Sequence, residues 1–274
     1  MTPPTREIGA AQLLISVRDA AEARDAVLGG AEIIDAKDPL AGALSPVSPE
    51  KLAEIRRAVP QELAVSAALG DAPGAAEIQR LTSLLKPGEL WFGKVGLAGH
   101  HGDSAARAVA VAAEALAPTR LVLVAYADWP SVHGPAPDEI RKLAIQFGAA
   151  GILLDTASKA SGNLLHLWSP DALMALVRDS HAAGLLVALG GSLGASDFRL
   201  VADTGAAIIG IRGAACSGGR NGKIERRLVQ ALRQSLDAAQ AQAGSSARSQ
   251  SPIEVSPSGP TARHLMPAGS TRLK

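Results

Sequence analysis

The chain has 274 residues, 47% of them hydrophobic and 3% aromatic, with a formal net charge of +1 and one cysteine. That length suits one large α/β domain with an ample core, the scattered Lys and Arg offer no basic stripe to nucleic acid, and lone Cys216 excludes an intramolecular disulfide. The opening MTPPTREIGA lacks the apolar core of a signal peptide, and the longest apolar stretch, HAAGLLVALGGSLGA, falls short of the ~20 residues that cross a bilayer, so a cytoplasmic protein without a membrane partner is expected.

Short runs rich in Leu, Ile and Val recur at a steady interval, each followed by a turn and a helical pattern of Ala, Leu and charges. Strands are predicted over 13–17, 33–37, 64–68, 90–96, 121–125, 151–155, 185–189 and 208–212. None alternates polar with apolar, as expected of parallel strands covered on both faces. Between them, Asp19 precedes AAEARDAVL, Ser48-Pro49-Glu50 precedes KLAEIRRAV, and Ser169-Pro170-Asp171 precedes ALMALVRDS, which places cap, proline and acid where helices start. Three helical patterns run into GGAEIID, FGAAGILLD and TGAAIIGIRG, an internal echo in which a glycine ends the helix and small residues lead into the next strand. Eight such units predict a single TIM (β/α)8 barrel over 13–243, after a lead of 1–12. From Gly244 the chain turns to Ser, Pro, Gly and Arg without apolar period, so 244–274 is expected to be a disordered tail.

Barrels carry their chemistry at the C-terminal ends of the strands, and two lysines stand there. Lys37 ends AEIIDAK and Lys94 ends GELWFGK. The period of two puts Asp35 and Lys37 on one side of their strand, so a carboxylate is expected beside that amine, either as an ion pair finishing the strand or as part of a catalytic group. A second amine over the same cavity and partial burial both favour the neutral form of Lys37, which can attack a carbonyl. Asp155, closing the sixth strand, is a candidate proton carrier or lysine-orienting group, with capping of its own loop as the competing account. Lys159, four residues on, is a candidate for binding an anionic substrate. Tyr126 and Asp128 in AYAD are further hydrogen-bonding candidates at the rim. Gly190-Gly191-Ser192 after the seventh strand and Arg212-Gly213 after the eighth occupy the usual phosphate-cradle loops, with Arg212 able to add a bidentate contact. The histidines lack ligand spacing, Cys216 has no CxxC partner, and neither GxGxxG nor a Walker loop occurs, so neither metal nor cofactor is expected.

The segments LLISVRDAAEARDAVLGGAEIIDAKDPLAGALS, LAVSAALGD, WFGKVGL, VAYAD, LLDTASK, LVALGGSL and IIGIRGAACSGGRNGKI resemble the (5-formylfuran-3-yl)methyl phosphate synthase family. That resemblance implies a TIM barrel that condenses two molecules of glyceraldehyde 3-phosphate into 4-(hydroxymethyl)-2-furancarboxaldehyde phosphate, a precursor of methanofuran-type cofactors used in one-carbon metabolism. It implies Lys37 as the Schiff-base lysine, Lys94 as the proton-transferring lysine, and Asp155 and Lys159 as the further acid and amine of the site. Asp38 departs from the family, whose members more often carry Asn there, and its charge would raise the pKa of Lys37. A Schiff-base aldolase of the deoxyribose-phosphate kind would share the lysines and loops, and a barrel kept as a non-catalytic subunit would use neither. A phosphosugar is the expected partner, and a homo-oligomer stays open.

Overall fold

The computed structural model describes residues 10–158 and 162–249 of the chain. Eight strands close into a barrel in sequence order, each parallel to its neighbours: β1 (Gln12–Val17), β2 (Ile33–Ala36), β3 (Ala64–Asp71), β4 (Phe92–Gly96), β5 (Arg120–Tyr126), β6 (Gly151–Asp155), β7 (Leu186–Leu189) and β8 (Ile208–Ile211). The helices that return the chain between them are α1 (Ala20–Leu28), α2 (Pro49–Ala58), α3 (Ala75–Thr82), α4 (Gly102–Leu116), α5 (Pro137–Gln146), the short α6 (Leu164–Leu167), α7 (Pro170–Ala182) and α8 (Phe198–Asp203), with α9 (Arg226–Ser249) closing the ring. This is the predicted (β/α)8 barrel, with strand ends displaced by at most three residues, the largest shift being β3, which runs on to Asp71.

The local signals act as expected. Asp19 accepts the amides of Ala21 and Glu22 at 3.0 and 2.9 Å, Ser48 that of Lys51 at 3.3 Å, and Ser169 that of Ala172 at 3.2 Å, with Pro49 and Pro170 at the first helical position. The three echoed glycines share one cause. Gly30, Gly148 and Gly205 take φ of +93°, +64° and +77°, the left-handed turn that ends a helix and that a side chain would strain.

Two apolar layers follow from the strand period of two. Leu13, Ile15, Ile34 and Val65 face the helices, whereas Leu14, Ile33, Phe92, Val122 and Ile208 face the barrel axis. Near the start of β5, Arg120 spreads its guanidinium over Trp91 and Phe92, 4.9 and 4.5 Å from the ring centres.

Two features were not read from the sequence. A small antiparallel hairpin, β9 (Cys216–Ser217) with β10 (Lys223–Ile224), follows β8, and its turn rises at the C-terminal end of the barrel. Helix α9 runs to Ser249, past the domain boundary expected at Gly244. The rest of the expected tail, 250–274, and most of the expected lead, 1–9, lie outside the described residues. Among the described residues, no helix is long and apolar enough to cross a membrane.

Candidate active site

A cavity of about 850 Å³ opens at the C-terminal end of the barrel and is lined by Lys37, Lys94, Asp155, Gly190, Ser192 and Arg220, among others. It reaches down the axis because several inward positions are small: Ser16, Ser66, Ala188, Gly151 and Gly210 also line it. A barrel filled by bulky residues at these positions would have no such space.

Both predicted lysines face this space, but their acid partners are exchanged relative to the local expectation. Asp35, with no exposed surface, accepts at its Oδ2 from the ammonium of Lys94 at 2.6 Å and the hydroxyl of Ser16 at 3.0 Å, and at its Oδ1 from the hydroxyl of Ser66 at 2.7 Å. Strands β1, β2, β3 and β4 thus supply one polar cluster. A buried carboxylate needs such partners, since an unpaired charge there costs several kcal/mol, on the order of 3–5. Lys94 is thereby fixed in place by a partner 59 residues away.

Lys37 instead lies 3.8 Å from Oδ2 of Asp155, on the far side of the barrel mouth. It is 8% exposed, and burial brings its pKa down to about 8. The neighbouring charges divide: Asp155 and Asp35 raise it, while Lys94 and Arg220 lower it further. An ordinary lysine is almost wholly protonated at neutral pH, whereas at pKa 8 about one amine in ten is neutral at pH 7. Asp38 does not raise it as expected, because its carboxylate turns back to accept the amide of Leu40 at 3.0 Å.

Asp155 also accepts the amide of Thr156 at 2.7 Å, so it meets both the start of its own loop and the amine of Lys37. Asp128 takes the amides of Ala157 at 2.7 Å and Ser158 at 2.9 Å and so shapes the loop after β6. Tyr126 donates its hydroxyl to both oxygens of Asp71, at 3.0 and 3.1 Å, and burial beside that carboxylate pushes its pKa far up. The pair stands in an adjoining hollow of about 310 Å³, not in the main cavity. Lys159 lies outside the described residues.

In the predicted phosphate loops, Gly190, Gly191, Ser192 and Gly213 all line the cavity. Ser192 takes φ +59°, an uncommon conformation for a residue with a side chain, of the kind retained at ligand clamps. The structure corrects the role expected of Arg212. Its Nε donates to the carbonyl of Arg220 (2.9 Å), Nη1 to Ser16 O (2.8 Å) and Glu22 Oε2 (2.9 Å), and Nη2 to Glu22 Oε1 (3.3 Å) and Gly222 O (3.2 Å). A guanidinium has five N–H donors, so none is left for a phosphate. Sequence reasoning missed both Glu22, buried at 4% exposure, and Arg220. Arg220 had a local signal, a cation among the glycines of GGRNG; Glu22 had none, because it meets Arg212 across 190 residues.

Among the described residues, no three His, Cys, Asp or Glu side chains gather as metal ligands. The fold is shared with many solved barrels. 3-Hexulose-6-phosphate synthase aligns with a TM-score of 0.58 at 14% identity, covering 83% of this chain and 99% of that one. Phosphoribosylanthranilate isomerase from Thermotoga maritima aligns at 0.57 and 12%, covering 83% and 98%. At such identities the likeness shows the fold alone. Sequence relatives are closer. The (5-formylfuran-3-yl)methyl phosphate synthase of Methanocaldococcus jannaschii is 34% identical over 232 residues, spanning 81% of this chain and 98% of the relative, and that of Methanopyrus kandleri is 36% identical over 234 residues, spanning 82% and 98%. The sequence profile of the 4-HFC-P synthase family matches residues 13–233, nearly the whole barrel, and the chain belongs to that family.

Proposed function

We propose that this protein condenses two molecules of glyceraldehyde 3-phosphate into (5-formylfuran-3-yl)methyl phosphate, through a Schiff base on Lys37. The observation that carries this reading is a buried amine with its pKa brought down to about 8, sharing one cavity with a second amine and a carboxylate. Neutral Lys37 attacks the carbonyl of one triose phosphate, and loss of water gives the iminium. Proton removal from the adjacent carbon yields an enamine, which adds to the aldehyde of the second triose. Lys94, held by Asp35, is the proton-exchanging group on one side, and Asp155 serves Lys37 on the other. Lys159 would supply a further amine, and Gly190, Gly191, Ser192 and Gly213 a phosphate cradle. Elimination and ring closure release one phosphate and two waters, which balances the two trioses against the furan without an oxidant. The place of such a product in methanofuran-type cofactor synthesis belongs to the same proposal.

The test is direct. Purified protein with glyceraldehyde 3-phosphate is expected to generate a furan ultraviolet chromophore, and borohydride is expected to fix a stable mass on Lys37. An open-chain sugar product would favour a deoxyribose-phosphate type of aldolase. Absence of an adduct, or full turnover by Lys37→Ala, would refute the assignment.

A further inference from the structure

The cavity is lined by four cations among the described residues: Lys37, Lys94, Arg212 and Arg220. Three are committed. Lys94 is neutralised by Asp35, Arg212 gives all five donors to Glu22 and backbone carbonyls, and Lys37 faces Asp155 and is needed as a neutral amine. Arg220 remains. It donates Nη2 to the carbonyl of Gly42 at 2.9 Å, and Asp155 attracts it across the cavity. Its position is built rather than incidental. The turn that carries it, between β9 and β10, is pinned by Arg212 at the carbonyls of Arg220 and Gly222, and by Arg18, whose Nη1 donates to Asn221 O at 3.3 Å. Arg212 is itself anchored by the buried Glu22. Three charged side chains thus hold one short turn over the barrel mouth.

The glycine loops after β7 and β8 offer one cradle, but the proposed reaction brings two phosphate esters, each carrying close to two negative charges at neutral pH. We propose that Arg220 is the side-chain ligand for the second of these phosphates. The inference rests on the reading of the reaction given above. A planar guanidinium suits a phosphate because it donates two parallel hydrogen bonds, and Arg220 still has donors beyond the one on Gly42. Its contact with Gly42 adds a consequence. Gly42 lies on the loop that follows Lys37, so a phosphate held by Arg220 lies within reach of the loop that leads away from the reacting amine. Glu22, Arg18 and Arg212 are then positioning residues that act through that turn.

The test compares Arg220→Gln and Arg220→Lys with the unaltered protein. Arg220→Gln is expected to raise KM for glyceraldehyde 3-phosphate roughly 10- to 100-fold, the range of a lost charge-assisted bond, with a smaller change in kcat. Calorimetric affinity for inorganic phosphate is expected to fall in parallel, and Arg220→Lys to recover part of both. Because Arg220 also helps to lower the pKa of Lys37, borohydride fixation of unphosphorylated glyceraldehyde is compared about two pH units above 8, where the amine is neutral in both proteins, and is expected to fall far less than fixation of the phosphate ester. Equal KM and equal phosphate affinity in Arg220→Gln would overturn the inference. So would an equal loss of glyceraldehyde fixation at that higher pH, which would assign Arg220 a structural role. If the unaltered protein makes no furan and no adduct, the reaction reading fails by itself, and the calorimetric comparison still decides whether Arg220 binds phosphate.

Discussion

Replacing Asp155 by Asn removes the charge that most strongly opposes the desolvation of Lys37. At 3.8 Å, two unit charges interact by about 4 kcal/mol at an effective dielectric constant of 20, an upper value for a pair at a hydrated mouth. The pKa of Lys37, about 8 in the intact site, is therefore expected to fall by roughly one to three units. At pH 7 the neutral fraction would rise from about a tenth to a half or more. The assay is the pH dependence of borohydride fixation on Lys37 in the presence of glyceraldehyde 3-phosphate. Its rising limb is expected to move to lower pH in Asp155→Asn, while furan formation is expected to fall if Asp155 exchanges protons as proposed. A limb that stays in place, or moves to higher pH, would refute the electrostatic account of the pair.

Lys94→Met leaves Asp35, which has no exposed surface, with only the hydroxyls of Ser16 and Ser66, and is expected to lower unfolding free energy by about 3–5 kcal/mol in urea denaturation. Lys37 has a folded pKa below its ordinary 10.5, so the unfolded chain binds more protons between about pH 8 and 10.5 and stability rises with pH across that window. Lys37→Met is accordingly expected to gain about 1–3 kcal/mol at pH 7, and no gain above pH 11, by the same denaturation measured at both values. At Gly96 an added Cβ would lie 2.1 Å from Asp71 Oδ1 and 3.0 Å from the Tyr126 hydroxyl. Gly96→Ala is expected to part that pair and to cost about 1–3 kcal/mol, read as a lower Tm.

What the sequence determined was local in origin. Eight apolar runs of strand length, helix starts marked by Asp19, Ser48 and Ser169, and glycines at Gly30, Gly148 and Gly205 each act through neighbours a few residues away, and they suffice to specify a barrel. The period of two in a strand also fixed which side chains face the axis, which is why Lys37, Lys94 and Asp155 were legible as one site. Tertiary structure alone decided who pairs with whom. Strand period sets a face but not a partner, and only barrel closure brings β4 to Asp35, β6 to Lys37, and Glu22 of α1 to Arg212 after β8. Those pairings withdrew Arg212 from the anion-binding role expected of it, assigned Asp35 to Lys94, and left Arg220 facing the cavity, because each buried charge must find its complement in space rather than along the chain.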